Sequence, residues 1–527
     1  MSEVAGTHSS ARSARWVAAG ILLSRLAGLL RELVTASYLG TSAAASVFRV
    51  ALRMPNILQN LLGEGTLSAS FIPVYSKLLA EGREEDAGRV AGVIFALVLA
   101  LAGGLALIGI LLAPYLVPVF VPGYLDRPEL ISLTVKAVRI IFPMTGILVL
   151  SAWALGVLNS HRHFFISYVA PVLWNGTIIA TLFIFGGHRS PEGLVTALAW
   201  GALIGGILQF LLQLPWVLAL ERNLSIGFDT HLEEVREAVR NAGPAILGRG
   251  SVQLSGWIEL LLVSFLWAGA AATMGYAQTF YLLPISLFGM SVAAAELPEL
   301  SRGHGGPVEG LRLRLSAGLE RIAYMVVPSM VGYLVLGDII IGGLYQRREF
   351  TGADTTIVYL TLAAFSVGLL ASTSSRLYSS TFFALRDTKT PAWIAFARVG
   401  SSALIGGTLM FPLERLTISG LPLGVVGLAL GTGIASWIEW GLLRRVLGKR
   451  IGSFGVGLGR LSRMFFAALV AAGLSRGILS LLVVRSLLGD LVITMSIYGL
   501  TYLIGTSLLG IEGAADLIGR FRRGGRG

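Results

Sequence analysis

A succession of long apolar runs leaves this chain few folds. A helix that crosses a bilayer needs about 20 mostly apolar residues. Fourteen segments meet that need: 16–38, 42–79 (broken), 90–120, 133–158, 166–186, 194–220, 241–268, 271–295, 316–345, 357–385, 391–412, 421–447, 459–481 and 486–511. The first two and the eighth carry the most polar residues. The expectation is an all-α polytopic membrane protein with 14 transmembrane helices. Composition agrees: 13% of the 527 residues are charged and 54% hydrophobic, whereas a soluble chain carries about 25% charged residues. A soluble multidomain protein, a disordered chain and a nucleic-acid binder are thereby excluded. The chain has no cysteine, so disulfides, cysteine metal sites and thiol catalysis are out. Its 66 glycines suit close helix packing in a membrane. Arg12 and Arg15 precede the first apolar run, which shows no cleavage site, so an uncleaved N-terminus is expected.

The net charge of +12 sits in short connections rather than in one patch. One set holds Arg12 and Arg15; Lys77, Arg83 and Arg89; Arg162; Arg222, Arg236 and Arg240; Arg302, Arg312 and Arg314; Arg386 and Lys389; Arg444, Arg445, Lys449 and Arg450; and the arginines of 520–526. The alternate connections hold only Arg127, Arg189, Arg347, Arg348, Arg415 and Arg485. By the positive-inside rule both termini are cytoplasmic and the number of spans is even. The amphipathic stretch 226–240 is expected on the cytoplasmic surface.

The chain also repeats itself. At an offset of 227, Glu32 meets Glu259, Ser37 meets Ser264, Leu39 meets Leu266 and Leu158 meets Leu385. Pro55 meets Pro284 and Pro73 meets Pro298 at offsets two larger and two smaller. A repeat of six helices keeps its orientation. It predicts two six-helix lobes, 1–225 and 226–450, related by a pseudo-twofold along the membrane normal. Residues 451–527 add a helix pair and a basic tail.

Charges lie where lipid should be. Arg49, Arg53, Asn56 and Asn60 recur at i, i+4, i+7 and i+11, one helical face that Glu64 extends. An arginine at mid-span costs roughly 2.5–3.5 kcal/mol, so this face looks into water, a partner or a ligand. For Arg49 the alternative is a side chain snorkelling from the span's end. Pro55, Gly63 and Gly65 interrupt the helical ladder, which is tolerated where a helix lines a cavity, and are the expected hinge. The first span holds Arg25, Arg31 and Glu32, for which an internal salt bridge is the alternative. Span seven holds Arg249 and Glu259, and span eleven Arg398, which calls for a carboxylate or water. Guanidinium forks suit phosphates and carboxylates. The implied cargo has an anionic head, and a diphosphate fits. No cofactor and no metal site is expected. All six histidines fall in loops or the tail, there is no phosphate-binding ATP loop, and 427-GLALGTG lies within an apolar span as a packing face. Transport rather than catalysis is the expectation, driven by an ion, potential or cargo gradient.

These residues carry a family resemblance. The stretches 24-SRLAGLLRE, 53-RMPNILQNLLGEGTLSASFIPVYSK, 139-RIIFP, 156-GVLNSHRHFFISYVAP, 243-GPAIL, 283-LPISLFGMSVAAAELPELSR, 344-LYQRREFTGADT and 382-FFALRDTKTP, in this order, resemble the MurJ/MviN lipid II flippases of the MATE-like exporter superfamily. The resemblance implies a bacterial inner-membrane flippase that carries the undecaprenyl-diphosphate-linked peptidoglycan precursor outward by alternating access. A cationic cavity takes the head, and a groove beside the last two helices takes the tail. Membrane lipids, a lipid-linked anionic substrate and cell-wall synthesis proteins are the implied partners, and a monomer is expected. Arg25, Arg31, Glu32, Arg53 and Glu64 match family site positions. Ser46 stands where an acid is usual, and Gln59 and Thr279 where arginines are usual. Arg49 and Arg249 are placed to restore charge. Ser402 and Gly406 replace polar ligands that hold sodium in some members, which leaves sodium coupling open. In its place, Glu259 and Arg398 form a candidate coupling pair. The alternatives are export of another anionic lipid-linked saccharide, or a membrane scaffold that has lost the site.

Overall fold

The computed structural model describes residues 2–302, 308–482 and 486–511, with side chains at 19–246, 253–296, 309–482 and 486–511. The expectations placed on Arg12, Arg15, Arg249, Pro298, Arg302, Arg485 and the 520–526 arginines concern side chains outside the described residues. By packing the chain forms two compact units, one running to Ala272 and one from Thr273.

The first unit contains α1 (Ser2–Leu39), α2 (Ala43–Leu62), α3 (Glu64–Ala80), α4 (Glu84–Phe120), α5 (Pro128–Ser160), α6 (Phe164–Phe185), α7 (Pro191–Leu220) and α8 (Glu233–Ser264). Local chemistry sets several starts. The Ser42 hydroxyl accepts from Ala45 N to open α2, and Ser190 caps α7 ahead of Pro191. Trp153, fully buried on α5, donates its indole N–H to Ala91 O of α4 at 3.1 Å and packs against Phe95.

The second unit contains α9 (Ala270–Pro284), which crosses the boundary, a π turn (Ile285–Gly289), α10 (Met290–Arg302), α11 (Val308–Val335), α12 (Gly337–Tyr345), α13 (Gly352–Ser366), α14 (Leu369–Ala384), α15 (Lys389–Glu414), α16 (Gly424–Ile451), α17 (Leu458–Leu481) and α18 (Leu487–Leu508). A short antiparallel pair, Thr417–Ile418 with Leu421–Pro422, links α15 to α16. The α11–α12 pair bends by 77° and the α13–α14 pair by 43°.

Among the described residues nine helices are long and apolar enough to cross a membrane, and up to eleven spans result when each bent pair is one span. The remaining segments α1, α2–α3 and α8 are the charged ones. They were expected to span as well, and their arginines and carboxylates lower the hydropathy of helices that are otherwise long enough. The expected boundary at 225/226 differs from the packing boundary. α8 lies along α3, and beyond its C-terminus Arg127 Nη1 donates to Leu266 O at 3.0 Å, while Gly123 N donates to Ser264 Oγ at 3.0 Å. α17 and α18 are part of the second unit, where Tyr498 OH donates to Pro328 O at 2.6 Å and Tyr502 OH to Tyr324 O at 2.9 Å.

One repeated loop is explicit. α5 ends with His163 N on Leu158 O, and α14 with Asp387 N on Phe382 O, the six-to-one bond of a Schellman cap. Arg162 (φ 63°) and Arg386 (φ 58°) take the left-handed position where glycine is usual. The two caps correspond at an offset of 224, three fewer than Leu158 and Leu385 suggest.

Candidate functional site

The charged faces of α1, α2, α3 and α8 meet inside the first unit. Glu32 on α1 accepts from Arg31 Nη2 on one oxygen at 2.6 Å and from Arg49 Nη2 on the other at 2.5 Å. Its side chain is 14% exposed, so the carboxylate is nearly enclosed by its two guanidinium partners. The Arg31 guanidinium also lies 4.8 Å from the ring centre of Trp174 on α6, a cation–π contact. One turn along α2, Arg53 Nη2 donates to Glu259 Oε2 on α8 at 2.7 Å. Gly256, one turn before Glu259, lies beside this guanidinium, and a Cβ there would stand 3.4 Å from Nη2. Asn60 Nδ2 reaches Gln253 Oε1 at 3.4 Å. The face expected from the i, i+4, i+11 spacing therefore exists, and Arg49, Arg53 and Asn60 each engage a neighbouring helix.

Beyond Asn60 the helix breaks. Gly63 separates α2 from α3, and a side chain at this position would collide with the Gln59 carbonyl oxygen. The hinge residues thus divide. Pro55 lies buried inside the continuous α2, and Gly65 lies in the first turn of α3, so Gly63 alone forms the break. The Thr66 hydroxyl donates back across the break to Leu61 O. Gln59, Asn60, Glu64, Gly65, Ser68 and Ala69 line a cavity of about 510 Å³. Glu64 opens α3, where the N-terminal end of a helix favours negative charge. Asn56 Oδ1 is buried without a donor among the described residues, and Arg25 is exposed seven positions before Glu32.

Arg25, Arg31, Arg49 and Arg53 stand against Glu32, Glu64 and Glu259, an excess of one positive charge among the described side chains. The sequence suggested a cationic cavity with a few acids, with an internal salt bridge as the alternative for the first span. In the arrangement found, Arg31, Arg49 and Arg53 are paired with carboxylates. A guanidinium carries five N–H donors, which suits it to a planar or tetrahedral oxyanion as well as to a carboxylate.

The expected Glu259–Arg398 pairing is corrected. Glu259 is paired with Arg53, while Arg398 on α15 has Glu439 of α16 at 3.4 Å, so each has a counter-charge inside its own unit. Ser46 is fully buried and its Oγ accepts from Ala272 N at 3.1 Å, which makes it a helix cap for α9. Thr279 turns its hydroxyl back to Gly275 O at 3.0 Å. Ser402 shares a hydrogen bond with Thr432 at 3.0 Å, and Gly406 packs against Leu428. The sequence reading missed Trp174, Gln253 and Gly256, which are uncharged. Only Trp174 and Gln253 carried a signal, as polar or aromatic groups on spans beside the arginines.

A two-unit, all-helical membrane fold with paired charges inside its spans defines a polytopic transporter. The family model described as "Lipid II flippase MurJ" matches residues 35–508. A "Probable lipid II flippase MurJ" of Rhizobium tropici is 32% identical over 430 residues, 80% of this chain and 78% of the relative. A "Lipid II flippase MurJ" of Burkholderia cenocepacia is 30% identical over 86% of each chain. This chain belongs to the MurJ family. In fold it is similar to a solved MurJ structure described as inward closed, with a TM-score of 0.76 and 23% identity over 95% of this chain and 99% of that one. It is also similar to an inward-facing MATE family transporter, with a TM-score of 0.62 and 18% identity over 81% of this chain and 95% of that one.

Proposed function

We propose that this chain flips lipid II, the undecaprenyl-diphosphate-linked peptidoglycan precursor, from the inner to the outer leaflet of the bacterial inner membrane by alternating access. Membership of the family supports the substrate. The observation that carries the mechanism is the paired arginine face on α1 and α2. Arg25, Arg31 and Arg53 hold the diphosphate, and Arg49 adds charge. Glu32 and Glu259 occupy the guanidinium groups while the site is empty. An arriving diphosphate exchanges with these carboxylates, so the buried arginines pass from one anion to another without a bare intermediate. Asn56 and Glu64 supply polar contacts toward the sugar head, and Gly63 allows α3 to pivot against α2. No bond is made or broken, so the chain works as a transporter and not as an enzyme. It acts as a monomer, with both termini and the 81–83 turn in the cytoplasm, as the basic connections indicate.

A second reading, export of another anionic lipid-linked saccharide, draws support from Ser46 and Thr279. Their hydroxyls are engaged in helix bonds at positions where the family places charge. Complementation separates the two. In a bacterium depleted of its own lipid II flippase, this chain should restore growth. Failure to do so at a normal membrane level would favour the second reading.

A further inference from the structure

Arg376 is the charge that the site above does not use. It lies on α14, and its side chain is exposed although it sits eight residues, about 12 Å at 1.5 Å per residue, from the helix end. It makes no hydrogen bond or ion pair among the described residues. Arg398 sits at a matching depth, nine residues or about 14 Å into α15, the next helix after the shared 385–388 connection. Among the described residues its only counter-charge is Glu439, which reaches Nε at 3.4 Å, and its Nη groups make no hydrogen bond. Glu439 is 15% exposed. α14 packs along α16, with Gly368 against Gly433 and the Tyr378 ring 6.5 Å from that of Trp440, which brings the turn of Arg376 alongside the turn of Glu439.

The surroundings are polar. Ser372, Arg376, Ser379 and Ser380 share the less buried face of α14, a pattern unlike a lipid-facing stripe. On α16, Thr432, Ser436 and Glu439 form one stripe, and the Thr432 hydroxyl meets Ser402 of α15. An unpaired arginine against hydrocarbon costs roughly 2.5–3.5 kcal/mol. A water-filled polar seam removes that cost, and an anion in the seam offsets it further. Two guanidinium groups with spare N–H donors and one carboxylate leave a net positive charge, suited to a tetrahedral oxyanion held by forks.

We infer that the seam between α14, α15 and α16 is a second oxyanion site, with Arg376 and Arg398 as ligands for a phosphate or diphosphate group. Glu439 holds Arg398 while the seam is empty. The oxyanion belongs either to a lipid-linked diphosphate or to a free phosphate. The site is independent of the arginine face on α1 and α2.

Calorimetric titration of the full-length protein in nanodiscs tests it, with pyrophosphate and with a short-chain polyprenyl diphosphate as probes. The expected stoichiometry for at least one probe is two per chain. R25Q/R53Q should leave one site, and R376Q in that background should weaken it at least tenfold, while R376K stays within a few-fold. Glu439→Gln removes the competing carboxylate and should tighten the remaining site, which gives a readout that loss of folding cannot imitate. Binding of both probes identifies a free-anion site, and binding of the polyprenyl probe alone identifies a lipid-borne one. A stoichiometry of one that R376Q leaves unchanged, loss of all binding in R25Q/R53Q, or no binding of either probe would overturn the inference. Loss of one site in R376Q with none lost in R25Q/R53Q would keep this site and reject the first.

Discussion

Arg53 shows how a charge is kept inside a bilayer. Its side chain is 35% exposed and its guanidinium is bonded to Glu259, so the charge is partly hydrated and partly neutralised. Removing Glu259 leaves Arg53 without this partner, whereas removing both leaves neither charge. Glu259→Gln should therefore destabilise more than Glu259→Gln with Arg53→Gln. The coupling should be about 1 kcal/mol, modest because of the exposure. Unfolding midpoints in detergent check this, and strictly additive effects would show that the pair does not couple. The helical spacing made the face of Arg49, Arg53 and Asn60 legible from sequence alone. Their partners were not legible, because α1, α2 and α8 are brought together by tertiary packing over as many as 206 positions. Arg398 illustrates the same limit. Its need for a carboxylate could be read, but the sodium site implied by the family resemblance pointed to Glu259, whereas the neighbouring helix supplies Glu439.

At the scale of elements, the break between α2 and α3 rests on one glycine. Gly63→Ala should lower thermal stability clearly, by about 2 kcal/mol as an overpacked site, and Gly65→Ala much less. Equal melting shifts would remove Gly63 from its role. Pro55 was read as a break because proline deletes a helical donor, yet α2 runs through it, as spanning helices often do when neighbours satisfy the freed carbonyl. Asp387 anchors α15 from the preceding connection. It accepts from Thr390 N at 2.9 Å, Thr390 Oγ1 at 2.7 Å and Arg450 Nη2 at 2.6 Å. These bonds, with Thr390 first and Arg450 after it, push its carboxyl down to about 2. A depressed carboxyl adds stability above its ordinary value near 4 and loses it as pH falls from about 4 toward 2. Asp387→Ala should cost about 1 kcal/mol at neutral pH, as the loss of a helix cap does. The deficit should shrink through that acidic window, and a deficit independent of pH would contradict the assignment.

For the whole molecule, the apolar runs announced an all-helical membrane fold, of which nine to eleven spans are apolar enough among the described residues, while the charged segments α1, α2–α3 and α8 fall below that hydropathy. The division into units was less legible. A repeat in sequence records ancestry of segments, while α8 packs with the first unit through contacts that no offset encodes. Orientation can be tested cleanly, since the chain has no cysteine. A cysteine at position 348 should react with an impermeant maleimide in intact cells and one at position 83 should not. The reverse pattern would invert the topology. The central claim is that the arginine face of α1 and α2 carries the diphosphate head. It is tested most directly by measuring lipid II in the outer leaflet of flippase-depleted cells that express this chain. The unaltered chain should restore outer-leaflet lipid II, and Arg25→Ala and Arg53→Ala, present in the membrane at the same level, should reduce it at least tenfold. Undiminished lipid II export by both variants would contradict the account.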